Sequence, residues 1–72
     1  MELETINFKI EKNIAFIELN RPKYYNSLNQ TMAEDLFKVS LECDDNPNIR
    51  SVVMSGSGED AFCAGGDVNS FY

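Results

Sequence analysis

Ile14-Ala15-Phe16-Ile17-Glu18-Leu19, followed at once by Asn20-Arg21-Pro22, governs how this chain is laid out. Alternation puts Ile14, Phe16 and Glu18 on one face of a strand and Ala15, Ile17 and Leu19 on the other. Both faces are largely apolar, which predicts a better-covered strand than its neighbour. Pro22 ends it by removing a backbone donor and holding Arg21 away from helical geometry. Upstream, Ile6, Phe8 and Ile10 alternate with Asn7 and Lys9, a half-buried strand. The polar Glu11-Lys12-Asn13 between the two reads as a hairpin turn.

Downstream, residues 23–28 read as a loop. A helix then starts near Asn29 or Thr31; both can cap, and Thr31-x-x-Glu34 matches a capping box. Met32, Leu36, Val39 and Cys43 recur at helical spacing as one apolar stripe. Asp44-Asp45-Asn46-Pro47 stops the helix. Ser51-Val52-Val53-Met54 is a short β-branched run that predicts a buried third strand. Gly56-Ser57-Gly58-Glu59-Asp60 is a turn-rich surface loop. After the apolar residues 61–64, Gly65-Gly66 breaks the chain and Asp67 is a good N-cap for a helix running from Val68 towards Tyr72. The order is strand, strand, helix, strand, loop, helix start, an α/β pattern. The expectation is a single truncated domain over residues 1–72, whose natural form continues or of which this is a fragment.

Composition narrows the function. The chain has 72 residues, 43% of them apolar and 25% charged, an ordinary globular balance that argues against disorder. A domain this small buries only ~60% of the surface its unfolded chain exposes. Six basic and twelve acidic residues give a net charge of −6. The cations are scattered, so a nucleic-acid partner is not expected. No apolar run approaches a membrane span, and the acidic start Met1-Glu2-Leu3-Glu4 lacks the features of a secretory signal. The expected compartment is the cytoplasm or an organelle matrix. There is no histidine, so neither a Ser-His-Asp nor a Cys-His catalyst can be built from this chain, and the metal set is poor. Cys43 and Cys63 read as free thiols, a single bridge being the alternative. Cys63, between Phe62 and Ala64, reads as a packed small residue rather than a nucleophile.

The chemistry-bearing stretch is Ala61-Phe62-Cys63-Ala64-Gly65-Gly66-Asp67. Paired glycines let a ligand approach the main chain without meeting a Cβ. A helix start beyond them offers unpartnered N–H groups and partial positive charge. Together these suit a developing oxyanion; the plain alternative is a tight turn with a cap. Arg21-Pro22-Lys23 is a rigid turn with two cations that could meet a phosphate, or simply a solvated strand end.

The ordered blocks Leu19-Asn20-Arg21-Pro22-Lys23, Asn26-Ser27-Leu28-Asn29, Asp45-x-Pro47, residues 50–58 and residues 61–67 resemble the N-terminal segment of the enoyl-CoA hydratase/isomerase family, the crotonase superfamily. The resemblance covers the chain from about Ile10 to Tyr72. It implies a spiral of ββα units, of which this chain would supply a hairpin, a helix, a strand and the start of a second helix. It implies an acyl-CoA thioester as substrate, with coenzyme A as part of that substrate and no separate cofactor. One of two backbone oxyanion donors falls on Gly66. Ala64, Gly65 and Asp67 would lie around the CoA pocket, and Arg21, Lys23, Tyr24 and Ser27 would border the CoA groove. The second donor and the acidic proton-transfer residues of the family lie later and have no counterpart here. The resemblance thus leaves open hydration, isomerisation, thioester hydrolysis such as that of 3-hydroxyacyl-CoA, and decarboxylation. It also implies a trimer-based homo-oligomer for full-length relatives, and self-association or a missing chain for this one. On that view the 72 residues alone are inactive, and a binding or oligomerising module is the competing expectation.

Overall fold

The computed structural model describes residues 2–59, 62, 63, 65 and 66. Strand β1 (Ile6–Glu11) and strand β2 (Ile14–Leu19) form the expected hairpin, paired antiparallel from Ile6–Leu19 to Glu11–Ile14. Its two-residue tip is Lys12 and Asn13, both with positive φ (50° and 71°). That is the backbone habit of a type I′ turn, whose twist matches the flanking strands. Helix α1 (Gln30–Asp45) follows, then strand β3 (Ser51–Gly56), which pairs with β2 in parallel. The sheet order is therefore β1-β2-β3 with β2 in the centre.

Alternation along β2 is reproduced residue by residue: Ala15, Ile17 and Leu19 are buried, and Ile14, Phe16 and Glu18 are half-buried. The buried set meets Ile6, Met32 and Val39, with Leu3, Phe8, Leu28, Leu36 and Cys43 packed around them. Each fully buried aliphatic or Met side chain contributes about 1.5–3 kcal/mol, so this small cluster is the main apolar support of the fold. The stripe Met32, Leu36, Val39 and Cys43 thus faces the sheet as its spacing predicts. Cys43 and Cys63 are both free. Burial, with Glu42 and Asp44 beside it, pushes the Cys43 thiol up, so it packs as a neutral group. Among the described residues, no helix is long and apolar enough to cross a membrane.

Three expectations need correction. The helix is capped by Asn29, whose Oδ1 accepts the Met32 N–H at 2.8 Å; Thr31 lies inside the first turn, so its capping box does not form. Strand β3 is not buried: Val52, Val53 and Met54 are each about half exposed. Helix α1 approaches β1 more closely than β3. An open groove lined by Ile17, Ser40, Cys43, Ile49 and Val52 therefore separates the helix from that edge strand. Cys63 is exposed rather than packed. The helix expected from Val68, with its cap Asp67, lies outside the described residues.

One polar residue sits within the core stripe. Asp35, 2% exposed, shares the inner face of α1 with Met32 and Val39. Its Oδ2 accepts the Thr5 hydroxyl at 2.7 Å, the Thr5 N–H at 2.8 Å and the Glu4 N–H at 3.0 Å. Burial alone would raise its pKa. The Thr5 hydroxyl, the two amides and the nearby Lys38 charge outweigh that, and the carboxyl is held below its ordinary value. The contribution is thus fully present above the ordinary carboxylate pKa and is lost as pH falls through the lower, folded value. Asp35→Asn, which keeps the shape but not the charge, should cost about 1–3 kcal/mol at neutral pH in urea denaturation. Its stability should also fall less steeply than the parent's below roughly pH 4; identical acid limbs would refute the assignment.

Candidate functional site

Parallel pairing sets the location. Leu19 is opposite Gly56, and the Ser57 N–H donates to the Leu19 carbonyl at 2.8 Å, so β2 and β3 end side by side. Residues 20–28 that follow β2, and Ser57, Gly65 and Gly66 that follow β3, share that edge of the sheet. Ligands of open α/β sheets bind at the carboxyl ends of strands for this reason.

The first segment closes on itself. Pro22–Tyr24 form one 3₁₀ turn, and Tyr25 and Asn26 follow with φ of 55° and 56°. Arg21 braces the turn: its Nη1 donates to the Ser27 carbonyl at 2.6 Å and to Ser27 Oγ at 3.3 Å. Its guanidinium lies 4.5 Å from the centre of the Tyr24 ring. The charge that sequence offers to a phosphate is therefore also part of the turn's own scaffold. Lys23, Tyr24 and Tyr25 are exposed. Lys23 and Tyr24 line a shallow depression with Thr5, Asn20 and Pro22.

The second segment is tied to the first at two points. The Leu28 N–H donates to the Gly65 carbonyl at 2.6 Å, in a parallel bridge that sets Leu28 beside Gly66. In such a bridge the paired residue's own N–H is not the donor, and no described residue accepts the N–H of Gly66. Gly66 is exposed. Gly65 has φ +92°, and no described atom outside its two chain neighbours lies within 4 Å of where a Cβ would stand. That backbone conformation by itself calls for glycine there. Ala64 and Asp67 lie outside the described residues. Of the expected site residues, the structure thus gathers Ser27, Gly65 and Gly66 around the Leu28 bridge, and Arg21 and Tyr24 in the adjoining turn.

Sequence reading missed two parts of this junction. Asn26 is fully buried and hydrogen bonds in both directions. Its Oδ1 accepts the Arg21 N–H at 2.8 Å, and its Nδ2 donates to the Ser57 carbonyl at 2.9 Å. Gly56 is the second part: a Cβ there would stand 2.5 Å from the Phe62 carbonyl oxygen and 2.8 Å from Asn26 Nδ2. The available signal was an asparagine placed just after an expected turn, since Asn tolerates left-handed backbone. Among the described residues no three His, Cys, Asp or Glu side chains cluster as a metal site.

The family model for enoyl-CoA hydratase/isomerase matches residues 14–72. This chain belongs to the enoyl-CoA hydratase/isomerase family. Its fold agrees: it superimposes on the crystal structure of an enoyl-CoA hydratase from Bacillus anthracis with a TM-score of 0.87 and 32% identity, covering 93% of this chain and 26% of that one. A 3-hydroxyisobutyryl-CoA hydrolase of Dictyostelium discoideum is 40% identical over 70 residues, 96% of this chain and 18% of the relative. The small ribosomal subunit protein mS47 of Neurospora crassa is 43% identical over 67 residues, 93% of this chain and 13% of the relative. The chain therefore spans about a quarter or less of the length of these members. Within this family architecture, Gly56→Ala should cost on the order of 1–3 kcal/mol by overpacking against backbone, read as a lower urea midpoint. A variant as stable as the parent would mean that the Asn26 junction relaxes freely.

Proposed function

We propose that this chain supplies one half of an acyl-CoA thioester site of the enoyl-CoA hydratase/isomerase type. The N–H of Gly66 would polarise the thioester carbonyl. The observation that carries this reading is the Leu28–Gly66 bridge, which spends the Gly65 carbonyl internally and leaves the exposed Gly66 N–H without an acceptor among the described residues. Ser27, Gly65 and, by the family pattern, Ala64 and Asp67 would flank the coenzyme A moiety. Lys23 and Tyr24 stand exposed on the adjoining turn, with Arg21 as its brace. The reading calls for no cofactor beyond the coenzyme A carried by the substrate.

An oxyanion donor is worth about 3–4 kcal/mol in the transition state. On this reading the 72 residues contribute binding and polarisation through one donor, and the acid–base steps are assigned to none of them. The relatives' reactions of hydration and of 3-hydroxyacyl-CoA hydrolysis differ in proton transfer, which this segment does not set. The test is titration of acetyl-CoA labelled with ¹³C at its carbonyl. Binding should shift the carbonyl resonance downfield. Gly66→Pro, which deletes the N–H, should remove most of that shift and weaken binding by about tenfold or more. The same shift and affinity in both proteins would take Gly66 out of the site.

A second reading has its own support. One relative is named as a ribosomal subunit protein, and Val52, Val53 and Met54 expose apolar surface on an edge strand, which favours association. On this reading the chain is a docking module that carries out no chemistry. Light scattering after size exclusion separates the two: self-association should be relieved by Val53→Lys, whereas a monomer that binds acetyl-CoA at every concentration counts against docking.

A further inference from the structure

The chain leaves the end of β3 at Ser57 and is back at the sheet edge at Gly65. Both ends of this loop are fastened to the same three-residue stretch, residues 26–28. At its root, Asn26 Nδ2 holds the Ser57 carbonyl at 2.9 Å; at its far end, the Leu28 N–H holds the Gly65 carbonyl at 2.6 Å. The stretch is itself immobilised. The Asn26 N–H donates to the Arg21 carbonyl at 2.8 Å, Asn26 Oδ1 accepts the Arg21 N–H at 2.8 Å, and the Arg21 side chain returns to Ser27. Gly56 lets this happen, because any Cβ there would push into both Asn26 Nδ2 and the Phe62 backbone.

We infer that Asn26 is the positioning residue of the glycine loop: its buried carboxamide fixes where the loop leaves the sheet, and so where the Gly66 amide points. This rests on the reading of Gly66 as the carbonyl donor. Asn26 touches no substrate on this view. It acts because a carboxamide is one planar group with an acceptor and a donor, and here the two face different segments. A carboxylate in its place would still accept from the Arg21 N–H but would oppose the Ser57 carbonyl, oxygen to oxygen. Glycine would keep the left-handed backbone and remove both bonds.

The test follows the amide resonances of Gly65 and Gly66, and the exchange of the Leu28 amide, in ¹⁵N-labelled full chain. Asn26→Asp and Asn26→Gly should each displace both glycine resonances and speed Leu28 exchange by about tenfold, the equivalent of one hydrogen bond. Binding of acetyl-CoA should weaken by a similar factor. Thr5→Val is the control: it loses the hydroxyl bond to Asp35 and hence stability, but should leave both glycine resonances in place. Should one Asn26 variant fail to fold, the other decides. Unmoved glycine resonances in the folded Asn26 variants, or equal movement in Thr5→Val, would overturn the inference. If the parent chain itself fails to bind acetyl-CoA, the carbonyl-donor reading falls, while the amide data still report whether Asn26 sets the loop.

Discussion

The pairing of β2 with β3 in parallel is the constraint from which the rest follows. A parallel pair needs a crossover, and α1 supplies it. That arrangement puts the carboxyl ends of both strands at one edge, with Leu19 opposite Gly56. Two segments far apart in sequence then become neighbours, and their free backbone groups must find partners there. They find them in each other, through Asn26, Ser57, Leu28 and Gly65. The amide of Gly66, which no described residue accepts, is what this exchange of bonds leaves over. No side chain with catalytic chemistry is needed to produce it, which fits a chain without histidine.

Much of the fold was legible because period is a direct readout of which face is buried. Ile6 and Phe8, Ala15, Ile17 and Leu19, and Met32 and Val39 all face inward as their spacing requires. The failures have physical causes. Asp35 formed no part of the expected apolar stripe; it is buried beside Met32 and Val39 because the Glu4–Thr5 amide pair, which sequence did not show, makes a carboxylate tolerable there. The β-branched run of β3 speaks of cover, and the helix does not provide it. Asn29 and Thr31 are equally good caps on paper; the helix begins at Gln30, which leaves the capping position to Asn29.

The site was legible in part. The glycine pair and the Arg-Pro turn were visible as unusual backbone, and their proximity follows from topology once the strands are placed. Arg21 was read as a charge, yet its geometry makes it equally a strut, stacked on Tyr24 and bonded to Ser27. Asn26 carried no signal of charge, aromaticity or spacing. Its importance lies in facing two segments at once, a property of three-dimensional neighbours and not of any local string.

The hairpin tip at Lys12 and Asn13 has a consequence for how the molecule assembles. Antiparallel β1 and β2 are joined by two residues, so they can meet within microseconds, driven by local contacts. The parallel pairing of β2 with β3 must close a far longer loop, which includes all of α1, and such non-local contacts come late. The bonds that hold Ser57 and Gly65 to residues 26–28 form only once β3 has arrived, so this junction is built in the closing steps of folding. A chain that loses β3 loses this junction with it and keeps only a hairpin that is marginal by itself.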